Sequence, residues 1–140
     1  MIDQLSVEIL PKWKEPAIRV LMMPRDTNAQ GTIFGGVVLS YIDQAGAIEA
    51  RRQGLRMMVT ISMDKVVFHE PVFVGDLVSL WTETTRIGTT SITIHVVVEA
   101  IRWNNPGRSV IVTEASVVYV NISEEDRKPT PIRQRIASSE

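Results

Sequence analysis

Cysteine is absent from the 140-residue sequence, and histidine occurs twice, at His69 and His95. Without thiols there are no disulfides and no thiolate metal sites. Two isolated histidines make no persuasive metal centre, so no metal is expected. Charge of one sign is also missing: the formal net charge is -1, which gives no electrostatic footprint for nucleic acid. No run approaches the roughly 18 apolar residues of a membrane span. The opening MIDQLSVEIL has neither the basic start nor the long apolar stretch of a secretory leader. The cytoplasm is therefore the expected compartment, with neither nucleic acid nor membrane as partner. Internal repeats and low-complexity segments are lacking too.

What remains is a composition of 44% hydrophobic and 22% charged residues, typical of a soluble globular protein with one core. A chain of this length is expected to form one domain, 1–140, that buries roughly 68–70% of its unfolded surface without staples. Residues 1–16 read as an irregular lead-in bracketed near its end by Pro11 and Pro16, and 123–140 as a polar tail that frays at its end. Between them, 17–23 (AIRVLMM) read as a first strand. The following turn-forming stretch contains Pro24, Asp26, Asn28 and Gly31.

Next comes one long helix over IFGGVVLSYIDQAGAIEARR, with Thr32 as the expected N-cap. Arg51, Arg52 and then Gly54 are its stop signals. Phe34, Val37, Val38, Tyr41, Ile42, Ala45 and Ile48 cover more than a stripe, so this helix is expected to be buried nearly all round. After Gly54 the pattern changes to four segments rich in Val, Ile and Thr: 57–68, 76–87, 91–103 and 109–122. These read as strands. The turns between them are short, which favours antiparallel neighbours. The fold class is thus α+β, with five strands curved around one central helix.

Two features of the helix are unusual. Gly35 and Gly36 sit at its first turn, although glycine costs ~0.8–1 kcal/mol against alanine in a helix. Close packing on a strand explains them. So does a ligand that must approach the unpaired N–H donors of a helix N-terminus, as an oxyanion would. Asp43 is a carboxylate within an apolar helix. Either it is solvated or paired with a cation such as Arg51 or Arg52, or it is a general base or nucleophile.

Gly36 and Asp43 are seven positions apart, nearly two turns, so they share a face about 10 Å apart. Reacting groups must come within ~3–3.5 Å of one carbon. If both serve one carbonyl, they come from two copies of the helix lying antiparallel. Each site would then use the helix N-terminus of one chain and Asp43 of the other, which calls for a homodimer.

Four segments in order carry a family resemblance. They are DTNAQGTIFGG (26–36) followed by Asp43, DKVVFHEPVFVGD (64–76), RIGTTSI (86–92), and VVYV (117–120) with RKPTPI (127–132). They resemble the bacterial YciA-type acyl-CoA hydrolases and the vertebrate brain acyl-CoA hydrolases over nearly all of 23–132. The resemblance implies the hot-dog fold and hydrolysis of an acyl-CoA to free acid and CoA, with no cofactor. By motif match it implies that Asn28 and Gly35, with Gly36 beside it, polarise the thioester carbonyl. Asp43 of the partner chain would act as base or nucleophile.

A hydroxyl at Thr60, with Ser62 as the alternative, would orient the water; ordinary strand composition also accounts for Thr60 and is preferred on sequence alone. The turn Gly88, Thr89, Thr90 and Ser91 would lie against CoA, although a tight hairpin explains it equally well. His69 departs from the basic residue often found at its position in the family, and His95 on its strand reads as structural. The family also implies a possible trimer of dimers. Two other readings remain: a hot-dog dehydratase or hydratase, and an acyl-CoA sensor without catalysis. The first needs a catalytic histidine, which the helix and its preceding loop lack. The second needs an output module, for which the lead-in is too short.

Overall fold

Alternation of apolar residues decides most of this fold. In a computed structural model, which describes residues 8–133, the strands are β1 (Ile18–Leu21), β2 (Met58–Phe68), β3 (Leu77–Ile87), β4 (Ser91–Ile101) and β5 (Ser109–Asn121). One helix, α1, spans Gly35–Arg52. In β4 every second residue is buried, from Ile92 through Ile94, Val96 and Val98 to Ala100. These side chains and Val112, Val117 and Leu80 form the face on which Val38, Ile42, Ala45 and Ala50 of α1 pack. No helix is long and apolar enough to cross a membrane among the described residues.

The five strands form one antiparallel sheet in the order β1-β3-β4-β5-β2. This corrects one expectation. The loop 69–76 does not join neighbours, because β2 pairs with β5 and lies at the far edge from β1. Its eight residues reach up to ~26 Å when extended, enough to cross three strand spacings of ~4.8 Å. Loop length therefore permits both arrangements, and long-range pairing chooses between them. Within β2 the register slips between Thr60 and Ser62 and again between Asp64 and Val67, and Lys65 takes a φ of 54° there. Such bulges are common on edge strands.

The helix also differs from expectation at its start and on one face. Thr32 is not the N-cap. Phe34 holds that position, without a side-chain hydrogen bond, and α1 begins at Gly35. Thr32 instead forms an isolated bridge to Phe73 and belongs to a closed loop with Asn28. Nor is α1 covered all round. Gly36, Ser40, Gln44, Ile48 and Arg51 form an exposed stripe, with Ile48 45% exposed. The stop signals act as read: Arg51 and Arg52 close the last turn, and Gly54 adopts φ 116° just beyond it.

The lead-in from residue 8 to Ala17 is irregular and is tied to the helix end by Leu10 N–H donating to Gln53 Oε1 at 2.9 Å. β4 stops at Ile101, leaving Trp103, read as part of the strand, 71% exposed in the turn. The polar tail docks on the sheet as far as it is described. Thr130 N–H reaches Asn121 O at 2.9 Å, and Ile132 is buried. The expected fraying at the end of the tail falls outside the described residues.

Candidate active site

The loop before α1 is organised by Asn28. Its Oδ1 accepts from Gln30 N–H at 2.9 Å and Thr32 N–H at 3.1 Å, and its Nδ2 donates to Thr32 Oγ1 at 2.9 Å. Gly31 turns the chain at φ 88°. Ile33 N–H then donates to Val72 O at 2.8 Å, and Phe34 N–H to Asp26 O at 3.0 Å. The helix thus starts at a defined place against the loop 69–76, with its first N–H groups uncapped by any side chain. The two glycines there differ. A Cβ at Gly35 would meet Phe68 Cζ at 3.4 Å, whereas a Cβ at Gly36 would meet nothing within 4 Å. The Phe68 ring closes one side of the first, and the backbone of the second is open to approach.

Asp43 lies two turns along, half-buried. Its Oδ1 accepts a hydrogen bond from Thr60 Oγ1 at 2.8 Å. No ion pair to Asp43 occurs among the described residues. The buried carboxylate of α1 is Glu49, 2% exposed, and it is Glu49 that pairs with Arg52 at 2.9 Å. Gln53, Thr84 and Thr82 complete its shell at 3.0, 2.7 and 3.4 Å. Burial pushes the Glu49 carboxyl up, but hydrogen bonds from Arg52, Thr84 and Gln53 outweigh this and hold it below the ordinary glutamate value.

Tyr119 was not singled out from the sequence, although a buried tyrosine on a strand needs a partner for its hydroxyl. That hydroxyl donates to the Asp43 backbone oxygen at 2.5 Å. Burial, with the Asp43 charge adding to it, pushes the phenol well above its usual range. Phe68, beside Gly35, was likewise passed over, since nothing local marks one strand aromatic as different from another.

The remaining candidates lie elsewhere. In the turn after β3, Gly88 N–H donates to Ser91 O, while Thr89 O and Thr90 O accept from Ile132 and Asn121, all at 2.8 Å. One carbonyl of this turn therefore braces the tail and the other the end of β5. Asn121 pairs with Met58, which puts the turn at the Thr60 end of β2. On the face of the sheet away from the core, His69 and His95 share the Glu114 carboxylate at 3.0 and 3.2 Å. The His69 hydrogen bond is the main cause holding that carboxyl below its usual range.

One chain thus carries two groups of candidates. Gly35 lies beside Phe68, at one end of β2, with Gly36 next to it and the Asn28 loop leading into the helix start. Asp43, Thr60 and the turn 88–91 gather near the other end. Thr60 and Phe68 face Tyr119 and Thr113, six positions apart on β5, which is about 20 Å along a strand.

Comparison with known proteins agrees with this architecture. Residues 30–102 match the thioesterase superfamily. The acyl-CoA thioester hydrolase YciA of Salmonella typhimurium is 38% identical over 84% of this chain and 90% of its own length. A hexameric hotdog fold thioesterase of Campylobacter jejuni superposes with a TM-score of 0.78 at 47% identity, covering 84% of this chain and 90% of that one. The hexameric thioesterase of Yersinia pestis gives 0.78 at 36% identity, covering 86% and 97%. With its helix laid on a five-stranded antiparallel sheet, the chain belongs to the thioesterase superfamily and, within it, to the YciA-type acyl-CoA thioester hydrolases.

Proposed function

We propose that the protein hydrolyses an acyl-CoA to the free acid and CoA at a site completed between two copies of the chain. The separation of the two candidate groups along β2 carries this reading. β2 is an edge strand with Val59, Ile61 and Val67 exposed. A long apolar edge invites a partner strand. Antiparallel pairing of β2 with its copy would bring the Phe68 end of one chain to the Thr60 end of the other. Gly35 and Asn28 would then face the partner's Asp43 and Thr60, and the exposed stripe of α1 would face its own copy. Hexameric relatives favour three such dimers in the full assembly.

In this arrangement the thioester oxygen takes hydrogen bonds from helix N-terminal N–H groups and from Asn28. An asparagine amide carries two N–H bonds; one goes to Thr32 and the other remains for the substrate. Asp43, oriented by Thr60, takes the proton of an attacking water or attacks the carbonyl itself. The turn 88–91 lies along the CoA arm. Side chains and backbone supply every group this hydrolysis needs, so neither a metal nor an organic cofactor enters the mechanism, and the cytoplasm is the compartment we assign.

Release of free thiol from acyl-CoA tests the activity. A mixed dimer tests the shared site. Chains carrying Asp43→Asn and Asn28→Ala are co-expressed and the heterodimer is isolated. One of its sites then holds both defects and the other is intact. It should recover about half of the wild-type activity, while each mutant homodimer loses ~10²-fold or more. A folded heterodimer as inactive as its parents would put both residues in the same chain's site.

A further inference from the structure

Two hydroxyls from neighbouring strands converge on Asp43. Tyr119 of β5 donates to its backbone oxygen at 2.5 Å, and Thr60 of β2 donates to its carboxylate at 2.8 Å. Thr60 and Tyr119 face each other across the strand pair. We propose that Tyr119 is a positioning residue for Asp43: with Thr60 it holds both ends of that residue against the sheet and so keeps the carboxylate aimed at the thioester carbon. The inference rests on the reading above, in which Asp43 performs the chemical step. Tyr119 itself is buried, 1% exposed, and acts only through Asp43.

Three observations support it. The first is the residue that makes way for the hydroxyl. Gly46 is buried in the interior of α1, where only proline is a worse helix former than glycine. A Cβ at Gly46 would overlap the Tyr119 hydroxyl and come within 2.9 Å of Cε2. The closest approach is that of the hydroxyl, not of the ring. The helix thus forgoes a side chain at the place where the phenol oxygen passes on its way to Asp43, three residues earlier.

The second is that the bond is surplus to the helix. Asp43 lies inside α1, where each carbonyl already accepts from the N–H four residues on. A carbonyl oxygen has two lone pairs, and Tyr119 uses the second. The bond therefore caps no orphaned group. What it adds is direction. The apolar packing of Val38, Ile42 and Ala45 in the core is non-directional and leaves α1 free to turn or slide slightly on the sheet; a short hydrogen bond does not. Burial, and then the Asp43 charge, push the phenol above its usual range, so the hydroxyl keeps its proton and remains a donor.

The third is the shared frame. Directly opposed residues of an antiparallel pair have Cα atoms ~4.5–5.5 Å apart and side chains on one face. Thr60 and Tyr119 stand so, and the register slips only beyond them, where Ser62 faces Val118. The two hydroxyls therefore move as one body with the sheet. One grips the main chain of Asp43 and the other its side chain, which leaves little freedom between them. A reacting group misplaced by about 1 Å costs up to ~100-fold in rate, so this clamp has a kinetic value beyond its contribution to stability.

The test is kcat, KM and thermal midpoint for Tyr119→Phe and Gly46→Ala, each in the wild-type chain and combined with Asp43→Asn, with thiol release from one acyl-CoA as the assay. Tyr119→Phe keeps the ring and removes the hydroxyl. It should lower kcat by about ten-fold, between the few-fold worth of one neutral hydrogen bond and the cost of a displaced carboxylate. KM should stay within about two-fold, as for an interaction felt only in the chemical step. Gly46→Ala reaches the same bond from the helix side and should show the same split between kcat and KM. Combined with Asp43→Asn, either substitution should cost less than about two-fold more, because residues that act through one group are not additive.

A folded Tyr119→Phe enzyme with the kcat of the wild type overturns the inference. So does a loss of equal size with and without Asp43→Asn, which assigns Tyr119 to general packing. Should Tyr119→Phe fail to fold, Gly46→Ala decides by the same comparison. These outcomes leave the thioesterase reading standing. A wild type that releases no thiol, or an Asp43→Asn enzyme as active as the wild type, removes that reading of the site and the inference with it.

Discussion

The Thr60 hydroxyl donates to the Asp43 carboxylate across 2.8 Å, joining the middle of the helix to the edge strand of the sheet. In the proposed mechanism this bond fixes one carboxylate oxygen while the other meets a water or the thioester carbon. Asp43→Asn keeps the shape and removes the proposed base, and it should lower kcat by about 10²–10⁴. Thr60→Val keeps the strand and removes the donor. A hydrogen bond to a charged group contributes ~1.5–3 kcal/mol, so a loss of roughly ten- to a hundred-fold in kcat is expected. Steady-state kinetics of the two variants checks both values. Full activity in Thr60→Val would reduce Thr60 to ordinary strand composition.

Asn28 offers a separation of two roles. Its Oδ1 holds the backbone of Gln30 and Thr32, while its Nδ2 carries the donors. Asn28→Asp retains the acceptor and removes the donors. It should preserve the thermal midpoint within a few degrees and still cost ~10²–10³ in kcat, the usual loss for one oxyanion donor. Asn28→Ala should lose activity and also stability. A stable, fully active Asn28→Asp enzyme would confine Asn28 to shaping the loop.

Glu49 governs behaviour in acid. Its folded carboxyl is held below the ordinary glutamate value, so the unfolded chain binds its proton first as pH falls. The stabilisation is complete above the ordinary value and is lost as pH drops through the lower, folded one. Thermal unfolding from pH 7 down to pH 3 should therefore show a fall in midpoint that is smaller in Glu49→Gln. At neutral pH, Glu49→Ala should cost ~1–3 kcal/mol, because it removes the acceptor shared by the buried Gln53 and Thr84 side chains.

Gly46 faces the Tyr119 ring, where a Cβ would come within 2.9 Å of Cε2 and closer still to the hydroxyl. Helix propensity alone predicts that Gly46→Ala stabilises α1 by about 1 kcal/mol. The crowding predicts the opposite, since overpacking typically costs ~1–3 kcal/mol. Denaturant unfolding should give net destabilisation. The same substitution should disturb activity, because Tyr119 also holds the Asp43 backbone.

The periodicity of the chain by itself determined the one helix, the long strands and the helix stop at Arg52 and Gly54, since these follow from side-chain alternation and local backbone preference. It also marked Gly35, Gly36 and Asp43 as residues out of place in an ordinary helix. Other features depend on contacts between segments far apart in the chain, and only the tertiary structure decided them. β2 lies against β5 and not β3 because Thr60 pairs with Tyr119, a choice that an eight-residue loop leaves open. Glu49, and not Asp43, became the buried carboxylate because Thr82 and Thr84 of β3 and Gln53 converge on it. Phe68 came to stand beside Gly35 because β2 pairs with β5 and the loop after it bonds to the residue before the helix start, through Ile33 N–H to Val72 O. Local sequence carries no record of these meetings, because each depends on strand register, and register is set by the burial of a whole face at once.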